Sequence, residues 1–151
     1  MFRYEEGSDK LIEVFFNVME ERFGEMQSLK FKLLFDNKKK VTKGKLVLAS
    51  VEVPGEKLKY FTIDKISVEG YDFILIVDKK AFELASDADR ARILSHELQH
   101  VVIDEENKCK TIGHDVSDFY DEIERNALDP RWGDKLASRV LIAYSEEKNG
   151  R

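Results

Sequence analysis

Residues 86–102 constrain this chain more than any other stretch. Ser86-Asp87-Ala88-Asp89 resembles a capping box, and Ala91, Leu94, Leu98 and Val101 then recur at helical spacing through about Val102. A helix with one apolar face must bury it, so the rest of the chain has to supply a layer to pack on. The same helix carries His96-Glu97-Leu98-Gln99-His100. Residues four apart stack one turn above each other, which sets both imidazoles on one face with Glu97 at its edge.

The layer is readable upstream. Ser8 and Asp9 can cap a helix in which Leu11, Ile12, Phe15, Phe16, Met19 and Phe23 recur at helical spacing, with Gly24 placed to end it. Residues 29–35, 46–53, 60–66 and 73–77 are short runs rich in β-branched and aromatic side chains, separated by Asp36-Asn37, Pro54-Gly55 and Glu69-Gly70. They predict a small sheet of three to four strands, mostly antiparallel, because a parallel pair needs a crossover of a dozen or more residues. Beyond the helix that carries His96 and His100 comes a polar stretch, 104–113. A helix then starts near Asp115, with Val116, Phe119, Tyr120 and Ile123 on its buried face and Asp129-Pro130 to stop it. A last helix spans about 132–146, with Leu136, Val140 and Tyr144 on one side. An N-terminal helix, then strands, then helices makes the class α+β.

With 151 residues, 42% of them hydrophobic, the chain is expected to form one domain over 1–151. Its net charge of −5 argues against a protein built to grip phosphate backbones. Lys38, Lys39 and Lys40, with Lys43 and Lys45, form a local basic cluster at an expected hairpin; such clusters can touch nucleic acid or acidic partners. A solvated tip that blocks edge-to-edge pairing is the preferred reading. The single cysteine, Cys109, excludes an intramolecular disulfide framework and a four-cysteine zinc ribbon. The opening Met1-Phe2-Arg3-Tyr4-Glu5-Glu6 lacks the basic start of a signal peptide, and no apolar stretch approaches the ~20 residues that span a bilayer. A cytoplasmic location without membrane association is expected.

Two imidazoles on one helical face can reach one metal ion, and zinc suits them. A catalytic zinc keeps three protein ligands and leaves a position to water, whose pKa falls towards ~7. Glu97 stands where it can take that water's proton as the resulting hydroxide attacks a carbonyl. Such a short motif also arises by chance. Here it lies on a capped amphipathic helix directly after a sheet, and His114, last of the three histidines, follows close behind. Candidates for the third ligand are His114, Glu105, Glu106, Asp118, Asp121 and Glu122. His114 is preferred, since it follows a turn at Gly113 and no other histidine remains. Asp115 or Asp118 can accept the outer N–H of a ligating imidazole, although a helix cap explains Asp115 equally. Tyr120 can lend a hydroxyl to developing negative charge, yet its place on the apolar face favours packing. Trp132 is read as a core anchor. The strand at 73–77 can add a peptide strand if its edge is free; if it is central, that role passes to another strand.

Leu94-Ser95-His96-Glu97-Leu98-Gln99-His100-Val101, followed by His114-Asp115-Val116-Ser117-Asp118-Phe119, resembles the phage and bacterial metallopeptidase family related to SprT-like proteases. The resemblance covers the C-terminal half. It implies a zincin-like fold, zinc held by His96, His100 and His114, and Glu97 as catalytic acid/base. The cysteine zinc ribbon that some SprT-like proteins carry is missing, so substrate targeting by such a module does not transfer. The expected function is a zinc-dependent metallopeptidase acting on a peptide or protein substrate. The alternative is a non-catalytic, zinc-stabilised binding module of the same fold.

Overall fold

A computed structural model describes residues 2–113, 122, 125–127 and 129–149 of the chain. A short strand, β1 (Tyr4–Glu6), precedes helix α1 (Asp9–Arg22), and after a 3-10 turn comes β2 (Phe31–Asp36). A hairpin of β3 (Val41–Thr42) and β4 (Lys45–Leu46) leads to β5 (Ala49–Glu52), α2 (Glu56–Phe61) and β6 (Phe73–Asp78). Helices α3 (Lys79–Leu84) and α4 (Asp87–Gln99), a second hairpin of β7 (Val101–Ile103) and β8 (Cys109–Thr111), and α5 (Trp132–Asn149) complete it. The α+β reading holds.

The main sheet has four strands in the order β1-β2-β6-β5. Both outer pairs are antiparallel, as expected for most of the sheet, but the central pair β2–β6 is parallel, with Phe31 opposite Phe73 and Asp36 opposite Asp78. The chain between them supplies the long crossover that a parallel pair requires. Because β6 has partners on both sides, its side chains are almost all buried, and β5 is left at the sheet edge.

Helix α1 begins at Ser8, whose Oγ accepts from the Leu11 N–H at 3.2 Å. It buries Leu11, Val14, Phe15, Val18 and Met19. Ile12 and Phe16, expected on that face, stand exposed; Val14 and Val18 complete the true stripe. Helix α4 starts at Ser86, whose Oγ accepts from the Asp89 N–H at 3.1 Å, as the capping pattern predicts. It packs Ile93, Leu94 and Leu98 into a core shared with α1, the sheet and α5.

Three expectations are corrected. The run 60–66 is not a strand: α2 starts after Pro54-Gly55 and a bend follows it, with Tyr60, Phe61, Ile63 and Ile66 exposed. Its aromatic and β-branched content found no neighbouring strand to pack on, and sheet preference is mostly a preference for such packing. The run 46–53 is divided, Leu46 closing the β3–β4 hairpin and Ala49–Glu52 joining the main sheet. Helix α4 ends at Gln99, so Val101 and Val102 belong to β7, and the polar stretch 104–113 holds the β7–β8 turn and β8 itself. The Asp104 carboxylate organises that turn by accepting from the N–H groups of Glu106 and Lys108, and Asn107 takes the left-handed φ of 61°.

Gly70 sits where α2 closes back on β6. Its φ is +85°, and a Cβ there would collide with the Lys59 carbonyl. Gly70→Ala is therefore expected to destabilise the fold by about 1–3 kcal/mol in denaturant unfolding. No loss would mean that this loop relaxes freely.

Candidate active site

The end of α4 and its neighbours build one cleft of about 930 Å³. One wall runs from Gly44 to Val51, through β4 and the edge strand β5; another comes from α5 with Trp132, Ala137 and Leu141; His96, Glu97 and His100 lie between them. Trp132 is thus both a core residue and a cleft residue.

His96 and His100 are half-buried, with ring centroids 5.3 Å apart and planes at 70°. His100 caps the C-terminus of α4 but keeps helical dihedrals, so the one-turn spacing survives although the helix ends there. His96, Glu97 and His100 each offer a ligand atom, and these atoms lie within 4.8 Å of one another. The His100 Nδ1 faces the Ile112 carbonyl at 2.5 Å. A carbonyl only accepts, so Nδ1 is the donor there and Nε2 is the ring nitrogen left to serve as a metal ligand. Backbone carbonyls commonly orient metal-ligating histidines this way.

Glu97 is buried, and loss of hydration pushes its pKa up to about 8. A dication bound between the imidazoles would offset that burial and favour the carboxylate. The donor set, its spacing and this charge demand all fit a divalent metal ion.

Behind the site, Glu122 is fully buried. Its Oε1 accepts from Ser95 Oγ and, at 3.4 Å, from Gln99 Nε2, which ties the last turn of α4 to the following segment. Each tie lies one residue before a histidine, so Glu122 fixes the turn that carries both. Glu122 was a candidate metal ligand by sequence, but it does not join the His96-Glu97-His100 group. Glu105 and Glu106 are exposed on the β7–β8 turn. The support from Ser95 went unread because a small polar residue on a helix's buried face carries no motif. His114, the preferred third ligand, lies outside the described residues, as do Asp115, Asp118, Tyr120 and Asp121 and the expected helix face of Val116, Phe119 and Ile123. The strand at 73–77 is central, so among the described residues the edge strand beside the site is β5.

No helix among the described residues is long and apolar enough to cross a membrane. No curated protein and no solved structure matches the chain. A family model described as "Putative phage metallopeptidase" matches residues 3–142. By that match over nearly its whole length, the chain belongs to this phage metallopeptidase family, whose description is of a metal-dependent peptidase.

Proposed function

We propose that the protein is a zinc metallopeptidase of zincin-like, SprT-related type, acting in the cytoplasm on a peptide or protein substrate. Its ligands are His96, His100 and His114, and Glu97 is its general base. One observation carries the reading: the ligand atoms of His96, Glu97 and His100 gather within 4.8 Å in a cleft bordered, among the described residues, by the edge strand β5.

Zinc, when bound, supplies a Lewis acid for the scissile carbonyl and acidifies a water. The imidazoles of His96 and His100 would hold the ion, the latter ring fixed by its Nδ1 contact with the Ile112 carbonyl. Glu97 accepts a proton from the attacking water on its carboxylate and returns it to the departing amine nitrogen. Burial of Glu97 keeps bulk water from competing for that proton. The edge of β5 offers backbone hydrogen bonds to an extended peptide, which aligns the scissile bond along the cleft.

The deciding measurement is metal content by mass spectrometry on protein purified without added metal. About one zinc per chain is expected in the wild type. His96→Ala, His100→Ala and His114→Ala should each lose it. A wild type that takes up no zinc even when the ion is added back overturns the reading. A wild type that holds zinc but cleaves no peptide pool favours the zinc-stabilised binding module.

A further inference from the structure

The basic hairpin proves to be part of the cleft. Lys43 and Gly44 have φ of 52° and 77°, the two positive values that a type I′ turn requires, and the Val47 N–H donates to the Lys40 carbonyl at 2.8 Å to extend the ladder. This closes a tight hairpin whose second strand continues into the cleft wall at Gly44, Lys45 and Leu46. Lys38, Lys39, Lys40, Lys43 and Lys45 are all exposed, and among the described residues none of them is in an ion pair. Across the cleft, the charged groups among the described lining residues, Arg131 and Asp134, are paired at 3.6 Å. Among the described residues, unpaired positive charge beside the cleft therefore lies on the hairpin side, where Lys45 lines the wall and Lys38, Lys39, Lys40 and Lys43 belong to the same hairpin, on a chain whose net charge is −5.

Resting on the peptidase reading above, we propose that this lysine lip selects substrates, drawing in peptide segments rich in Asp and Glu so that acidic residues lie along the hairpin while the chain follows β5. A cleft edged by one sign of charge raises the encounter rate of the opposite sign. The class of polyanion follows from what accompanies the lysines. Between Lys38 and Val47 there is no aromatic residue on which a base could stack, and the overall negative charge opposes a long phosphate backbone. An acidic peptide is short enough to meet the hairpin alone.

The test uses the zinc-loaded full chain and two quenched-fluorescent peptide pools. Both are randomised at four central positions, one flanked by Asp and Glu and the other by Ser and Gln. At low salt the acidic pool is expected to be cleaved about tenfold faster in kcat/KM, mostly through KM, with the preference shrinking as salt rises. Lys38→Glu/Lys39→Glu/Lys40→Glu should abolish the preference while zinc content and thermal unfolding match the wild type. Equal cleavage of both pools by the wild type, or a preference that the charge-reversed variant retains, overturns the proposal. So does tight, salt-sensitive binding of a mixed-sequence DNA duplex that blocks cleavage of the acidic pool. Failure to cleave either pool would instead strike at the peptidase reading itself.

Discussion

If Glu97 is the general base proposed above, Glu97→Gln is expected to retain the bound metal and lose about 10²–10⁴-fold in hydrolytic rate, the usual worth of a positioned general base. The amide keeps the volume and buried position of the carboxylate but cannot accept a proton at neutral pH. Because Glu97 stands within 4.8 Å of both imidazole donors, a different role is separable in the same experiment. If Glu97→Gln loses the metal together with activity, the carboxylate is a ligand. Undiminished turnover with zinc in place would remove Glu97 from proton transfer altogether. Zinc content and initial rates measured on one preparation distinguish the three outcomes.

The largest loss of stability is expected at Phe73. The residue opens β6, has no exposed surface, and stacks on Phe31 of β2 at 5.2 Å between centroids and 17° between planes. Phe73→Ala should cost about 3–5 kcal/mol, from lost transfer energy and from a cavity that a strand paired on both sides cannot collapse. Urea unfolding measures it through the midpoint at constant slope. A loss under about 1.5 kcal/mol would mean that the ring packs loosely, near the cost of a volume-conserving swap.

What could be read from the sequence was whatever local chemistry decides alone. The α4 start at Ser86, a hairpin at the lysine cluster, and the strand at 73–77 were legible because caps, turns and apolar runs act over a few residues. The pairing of His96 and His100 was legible because helical spacing places them together whatever else the chain does. Other features depend on partners far along the chain. Strand β1 is three residues with two glutamates, and only its ladder to residues 34–36 makes it a strand. Residues 60–66 have the composition of a strand without a neighbour to pair with. The α4 terminus was misplaced because Val101 and Val102 continue the apolar spacing, while their actual partners, Thr111 and Lys110, lie across a turn. Glu122 illustrates the same limit at the site: its bonds to Ser95 and Gln99 span the second hairpin.

The parallel pairing of β2 with β6 bears on the order of folding events. No rung of that ladder can form until the loop through residues 37–72, carrying the lysine hairpin, β5 and α2, has closed on itself. Closure entropy is lost before non-local contacts return it, which makes such pairings slow. Strand β5 precedes β6 in the chain and docks on its far side across the shorter connection 53–72, so this wall of the cleft asks only for β6 and for a smaller closure than the parallel centre does. All of these strands leave the ribosome before His96 and His100, so the sheet side of the cleft is available ahead of the helix that carries the two imidazoles.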